Sequence, residues 1–384
     1  MAETSCRHFN GYKPCKRSLH CEASHCNAFE PVRQKLLIVG LGAMGAVLRA
    51  TSVLPGIVRQ YPGAHITWLT EKCSSPLLAN NPLIDRVTTL DFSSLMTISG
   101  EEFAVAFVMD KDQRVGGILH HIQPKRVLGF KKDPKGLGIV PANAKAEELW
   151  QLGLSDQRKF FENTKPETQL LFEAFALGKF QREPYVLELT KYEQQEAKRR
   201  RETWQQGRGA IVGLNTGCSS LYPNKKLPVA TQRELIVRLQ RWFPEVSVVL
   251  LGGPEDTERN AEIAKGLNVI SSPTNQGVRD GLISVEATDL LISGDSLGLH
   301  MGIALKKWCI AWFGPTCPQE IDLYDRGQRV VSRATCQPCW KKVCHKDVMC
   351  YDLVDLSEII DAVERGLIQC ELPSFKQPSS ETCY

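Results

Sequence analysis

The stretch LLIVGLGAMGAVLRATSVL, residues 36–54, reads as a buried strand, a glycine turn and a helix. The turn, Gly40-Leu41-Gly42-Ala43-Met44-Gly45, has the G-x-G-x-x-G spacing that lets a backbone cradle a phosphate at a helix N-terminus. NAD binding is one use of such a turn. A tight strand–helix junction with no cofactor is another, and a two-domain transferase whose turn serves the acceptor is a third. Glu71, closing the next strand HITWLT (65–70), stands where a ribose-binding acid is expected in the first case.

Working outward, strands alternate with helices. FAVAFVM (103–109) is a third strand, ending at Asp110. Alternation of this kind predicts a parallel, doubly wound α/β sheet. A polar helix, LTKYEQQEAKRRRETWQQGRG (189–209), then interrupts; it reads as a linker or a bridging surface helix, and Lys198–Arg201 as its solvated face. Afterwards the pattern starts again. AIVGLNTG (210–217), VSVVLLGGPED (246–256), DLLISGDSLGLHMGIAL (289–305) and KWCIAWFGPT (307–316) each carry a strand and a small-residue turn, with an amphipathic helix at 230–243. A dehydrogenase pairs one nucleotide domain with a separate catalytic domain, whereas here a second nucleotide-type domain comes after the first. The expected division is a Cys-rich segment 1–33, a first Rossmann-like domain 34–190, a linker helix 191–208, a second Rossmann-like domain 209–335, a four-cysteine loop 336–350, and a helix and tail 351–384.

The bulk numbers set limits. With 384 residues, two domains are the natural division. Apolar residues at 42% and charged residues at 23% are globular values. A net charge of +4 suits an anionic ligand and gives no argument for nucleic acid. The first residues lack the apolar core of a secretion signal, and no apolar run is long enough to span a bilayer. A cytoplasmic protein is expected, with room for peripheral contact at the inner face of the membrane.

The 14 cysteines are many for that compartment. Cys336-x2-Cys339-x4-Cys344-x5-Cys350 has the spacing of one tetrahedral thiolate site. Cys6, Cys15, Cys21 and Cys26 form a wider group suited to a second zinc or an iron–sulfur cluster, with His8, His20 and His25 as substitute ligands. Reduced, unligated thiols are the plainer reading of both groups.

LNTGCSSLYPNKKLP (214–228), LLGGPED (250–256), SGDSLGLHMGIAL (293–305), FGPTCPQEIDLYDRG (313–327) and the cysteine loop together resemble the heptosyltransferase-type glycosyltransferases, glycosyltransferase family 9, which use ADP-heptose. The resemblance runs over about residues 35–365, including ITWLTEKCSSPLLANNPLIDRV (66–87) and VLGFKKDPKGLGIVPAN (127–143). It implies a GT-B fold, two Rossmann-like domains facing a central cleft. The implied reaction moves a heptose from ADP-heptose, or a similar nucleotide sugar, to an acceptor hydroxyl with inversion and no catalytic metal. A lipopolysaccharide core sugar and a protein serine are the implied acceptors. Some relatives hold iron with four such cysteines; zinc is equally compatible.

The departing ADP needs donors already in place. The resemblance assigns these to Thr216, Gly217, Ser219 and Ser220 in a hydroxyl-rich turn, and to Lys225, three residues before Pro228, with Lys226 as substitute. Asp295 is implied to hold sugar hydroxyls, beside Ser296. Gly298, Leu299 and His300 are implied to meet the diphosphate at a helix N-terminus. Leu297 stands where the family usually has a glycine. Glu255 matches a ribose contact, and Gly314, Pro315 and Thr316 close the same pocket. Plainer readings are an exposed lysine pair, a helix-capping Asp295, a solvent-facing Glu255 and an ordinary turn at 313–316.

One position departs from the family's chemistry. The residue after the third glycine is there an Asp, the general base; here it is Ala46, whose methyl group cannot accept a proton. Base catalysis is commonly worth about 10²–10⁴-fold. The substitution reads as an engineered loss, as relocation of the base to Asp110, Glu71 or Asp91, or as conversion to a non-catalytic nucleotide-sugar binding protein. An NAD-dependent oxidoreductase is the alternative from another class.

Overall fold

The computed structural model describes residues 4–371 apart from 10, 13, 20, 22–25 and 208. The chain divides into two compact units. Unit 1 holds the residues up to Lys159 and Glu167–Glu188; unit 2 holds Phe160–Pro166 and the chain from Leu189 onward.

Unit 1 is built on six strands: β1 (Gln34–Gly40), β2 (Ala64–Thr70), β3 (Arg86–Thr89), β4 (Val105–Val108), β5 (Val127–Lys132) and β6 (Ile139–Pro141). Their order is β3-β2-β1-β4-β5-β6. All pairs are parallel except β5–β6. Central β1 is apolar at consecutive positions because both faces of a doubly wound sheet are covered. Leu36 and Ile38 enter one core with Trp68, Phe107 and Phe172. Leu37 and Val39 enter the other with Leu69, Val108 and Phe130. The N-terminal segment is fastened to this unit: Arg7 donates to the Ala64 carbonyl at 2.8 Å and pairs with Asp85 and Glu30.

Unit 2 repeats the plan with β7 (Ala210–Asn215), β8 (Val246–Leu251), β9 (Ile270–Ser271), β10 (Leu290–Gly294), β11 (Trp308–Phe313) and β12 (Gly327–Val331). The order β12-β11-β10-β7-β8-β9 is wholly parallel. The C-terminal helix Leu356–Gln369, capped by Asp355, buries Ile359, Ile360, Val363 and Leu367 in the unit's core.

The charged helix Lys191–Gln205 groups with unit 2. Its start carries a capping box, with the Thr190 hydroxyl accepting from Glu193 N at 3.2 Å and the Glu193 carboxylate accepting from Thr190 N at 2.8 Å. Within the run Lys198–Arg201, the expected solvated face fails at Arg200. That side chain is buried, 3.1 Å from Asp280 and 2.7 Å from the Ser284 hydroxyl. Glu196, one turn back on the same helix, pairs with it at 3.3 Å, but Asp280 and Ser284 lie far along the chain, so local charge pattern gives no sign of the burial. Phe160–Pro166 likewise groups with unit 2 rather than with the first domain. Among the described residues no helix is long and apolar enough to cross a membrane.

Candidate active site

In unit 2 the strand ends of β7 and β10 meet in register, Asn215 opposite Ser293. Asn215 ties this corner of the sheet together. Its side-chain amide donates to the Gly217 carbonyl at 3.1 Å, to Ser293 Oγ at 3.0 Å and to Ser296 Oγ at 2.9 Å. A Cβ at Gly298 would stand 2.6 Å from the Asn215 side chain, so glycine there makes room for this amide. Ser296 is the N-cap position of the helix Leu297–Ala304, and its side chain makes no capping hydrogen bond. The first amides of that helix therefore keep their capacity for an anion.

Lys225 and Asp295 face each other at this helix start. Nζ lies 3.0 Å from Asp295 Oδ2, and the side chains are only 14% and 11% exposed. Burial works against the Asp295 charge, but Lys225 and then His300 outweigh it and hold the carboxyl below its ordinary range. His300 Nε2 stands 4.0 Å from Asp295 Oδ1. Leu299 and His300 are buried in the helix. An ammonium, a helix N-terminus and a hydroxyl-rich turn thus share one strand-end surface of unit 2.

The other residues expected at the donor site divide. Thr216 is buried and its hydroxyl is committed, 3.0 Å from the Leu251 carbonyl and 2.5 Å from Asn260 Oδ1. Ser219 and Ser220 are exposed on the turn. Lys226 is half-buried and its field reaches Asp256 and Cys218. Glu255 is exposed, while neighbouring Asp256 is buried, accepts from Gly253 N at 3.0 Å, and has its carboxyl pushed up by burial. Gly314, Pro315 and Thr316 are buried, and the Pro315 carbonyl accepts from Cys339 N at 3.0 Å and Trp340 N at 2.8 Å. That pair of bonds brings the cysteine loop onto the turn 314–316. Sequence reasoning misses Asn215, Asp256 and Trp340; the polar end of a strand and the C-x2-C-W run are the signals it offers for them.

In unit 1 the glycine turn holds a carboxylate. Leu41 N donates to Asp110 Oδ2 at 2.5 Å. The position a Gly42 Cβ would take is 3.2 Å from Asp110 Oδ1 and 3.8 Å from the Ala46 methyl. Burial pushes the Asp110 carboxyl up to about 6. The two other carboxylates considered for the base are engaged elsewhere. Glu71 pairs with Arg114 at 2.6 Å. Asp91 caps the helix Phe92–Ser99, accepting from Ser94 N at 2.9 Å and from the Thr89 hydroxyl at 2.6 Å.

Cys336, Cys339, Cys344 and Cys350 are all free thiols. Burial, and then the fields of Cys339, Cys344 and Cys336, push the Cys350 thiol up to about 11, so the four sulfurs lie within electrostatic reach of one another. An all-sulfur donor set of this kind suits zinc or iron. Among the described residues, however, no three His, Cys, Asp or Glu side chains close into a metal-sized group. Cys6, Cys15, Cys21 and Cys26 are half-buried, and three of them start tight turns, Cys6–Phe9, Cys15–Ser18 and Cys26–Phe29. His8 pairs instead with Glu30 at 3.2 Å. His20 and His25 lie outside the described residues.

The sequence profile of glycosyltransferase family 9 (heptosyltransferase) matches residues 98–349. No curated protein matches the chain. Among solved structures, the chain is similar to a glycosyl transferase family 9 protein from Veillonella parvula, at 17% identity and a TM-score of 0.70, covering 89% of this chain and 100% of that one. It is similar to the E. coli heptosyltransferase WaaC with ADP, at 15% identity and a TM-score of 0.59, covering 86% and 98%. It is also similar to the iron-containing dodecameric glycosyltransferase TibC of enterotoxigenic E. coli, at 13% identity and a TM-score of 0.53, covering 88% and 77%. These similarities establish the GT-B architecture of two parallel-sheet domains. With the family profile spanning well over half of its length, the protein belongs to glycosyltransferase family 9, the heptosyltransferases, and is a glycosyltransferase.

Proposed function

We propose that the protein transfers a heptose, or a closely related sugar, from an ADP-linked donor to an acceptor hydroxyl with inversion. The observation that carries this reading is the buried Lys225–Asp295 pair beside the uncapped start of the helix Leu297–Ala304. A leaving diphosphate gains negative charge as the sugar departs, and preorganised donors at that point lower the barrier. Lys225 and the helix amides meet the diphosphate; Asp295 accepts hydrogen bonds from sugar hydroxyls. The solved WaaC relative contains ADP, which supports an adenine nucleotide as the ligand class.

With a methyl group at Ala46, proton removal falls to Asp110. Its carboxylate lies against the same glycine turn, and a base that titrates at about 6 is well matched to near-neutral catalysis. The same carboxylate argues against the NAD alternative, because an anion bonded to the turn's own Leu41 amide repels a pyrophosphate from that amide. The thiols of Cys336, Cys339, Cys344 and Cys350 are proposed to hold one structural zinc or iron, which would order the loop and take no part in transfer. TibC is described as iron-containing, which favours iron. A lipopolysaccharide core sugar and a protein serine are the acceptor classes to assay side by side.

Thermal unfolding with ADP, UDP and NAD tests the reading. A ligand of the folded state at about 100 times its Kd stabilises it by about 2.7 kcal/mol. ADP is expected to raise Tm and NAD to leave it unchanged; the reverse pattern would overturn the proposal.

A further inference from the structure

The lysine of the donor surface is held by more than its carboxylate. Lys225 Nζ stands 4.9 Å from the centre of the Trp340 ring and 5.3 Å from that of Tyr222. The two rings meet edge to face, 5.7 Å apart at 88°. Trp340 belongs to the cysteine loop, between Cys339 and Cys344. Its place is set from three sides. Its backbone N–H donates to the Pro315 carbonyl at 2.8 Å, its indole N–H points at Cys317 Sγ at 3.3 Å, and Tyr222 covers one edge. Its φ of 51° is one a bulky residue rarely adopts, and such a conformation persists where surrounding structure over-determines it.

A lysine ammonium is a point charge on a flexible four-carbon stem, so a phosphate-binding lysine must be ordered before or during binding. Aromatic faces attract a cation without cancelling its charge, and tryptophan does so best. From this juxtaposition we propose that Trp340 and Tyr222 form an aromatic clamp that positions Lys225 for the donor diphosphate, making the cysteine loop a working part of the nucleotide site. The inference rests on the proposed nucleotide reading and extends it. Trp340 is a positioning residue: it acts on the donor through Lys225. The conformation of the 336–350 loop, however it is maintained, then sets donor affinity.

Calorimetric titration with ADP and with AMP tests the clamp, using the full chain and the variants Trp340→Ala, Trp340→Phe, Tyr222→Leu, Lys225→Met and the pair Trp340→Ala with Lys225→Met. Loss of a desolvated cation–π contact is expected to weaken ADP binding by about 3- to 30-fold in Trp340→Ala. AMP, lacking the second phosphate, changes little. Trp340→Phe keeps most of the affinity, and Tyr222→Leu loses part of it by the same route from a different segment. The paired variant binds ADP no more weakly than Lys225→Met alone. Equal weakening for ADP and AMP, or additive losses in the paired variant, overturns the clamp while leaving the nucleotide site standing. Wild-type protein indifferent to ADP overturns the nucleotide reading and the clamp with it.

Discussion

Lys225 Nζ and Asp295 Oδ2 lie 3.0 Å apart in surroundings that leave both side chains largely dry. Breaking such a pair on one side strands a buried charge, which costs about 3–5 kcal/mol. Lys225→Met is therefore expected to lower stability by that order in denaturant titration, and Asp295→Asn in the same chain to restore much of it. The pH dependence has a definite sign. Because the folded carboxyl titrates below its ordinary range, the pair's contribution is complete above the unfolded value, about 3.9, and is lost as pH falls through the lower folded one.

Asp110 gives the sharpest test of chemistry in unit 1. Asp110→Asn keeps an acceptor for Leu41 N but removes the proposed base. Transfer is expected to fall by about 10²–10⁴-fold while ADP affinity is unchanged. In the parent protein the rate should rise with pH through about 6, as the carboxylate forms, and the variant should lack that limb. Ala46→Asp should then add little. A large gain from Ala46→Asp, with Asp110→Asn behaving as the parent, would return the base to position 46 and mark Ala46 as a loss.

Asn215 joins Gly217, Ser293 and Ser296 through one amide. Asn215→Ala leaves those groups without their shared donor, at about 1–3 kcal/mol. Gly298→Ala should act through the same residue, since the added methyl would overlap the amide. Both variants should lower Tm and weaken ADP binding together. A Gly298→Ala protein with parental Tm and parental ADP affinity would contradict the role given to this strand-end network.

Arg200 and Asp280 supply a test away from Lys225 and Asp295. Their side chains are 9% and 11% exposed. Arg200→Met should destabilise unit 2 by about 3–5 kcal/mol and leave ADP affinity of the folded protein unchanged. A change below about 1 kcal/mol would restore the solvated reading of this helix.

Legibility in the sequence tracks how local each signal is. The central strands β1, β7 and β10 are readable because a strand covered on both faces is apolar at successive positions, and the glycine turns mark where each ends. Strands β3 and β12 do not stand out, since Arg86–Thr89 is half-buried throughout and Gly327–Val331 only partly buried. Two-residue β9 leaves no pattern at all. Lys225 and Asp295, 70 residues apart, are legible through the family's motif. Arg200 reads as solvated because its partner Asp280 lies 80 residues on. Trp340 is hidden by the cysteines beside it: a metal-site spacing explains the loop, and nothing local links its tryptophan to Lys225.

The grip of unit 2 on a nucleoside diphosphate is the central claim, and titration of ADP into the full chain and into a Lys225→Met, Asp295→Asn double variant measures it most directly. Removing both members avoids a stranded charge, so the variant remains folded. A charge-assisted phosphate contact is worth about 1.5–3 kcal/mol, roughly 10- to 150-fold in affinity. The predicted result is ADP binding by the parent, weakened by at least about tenfold in the variant. Equal ADP affinity in the two proteins would contradict it.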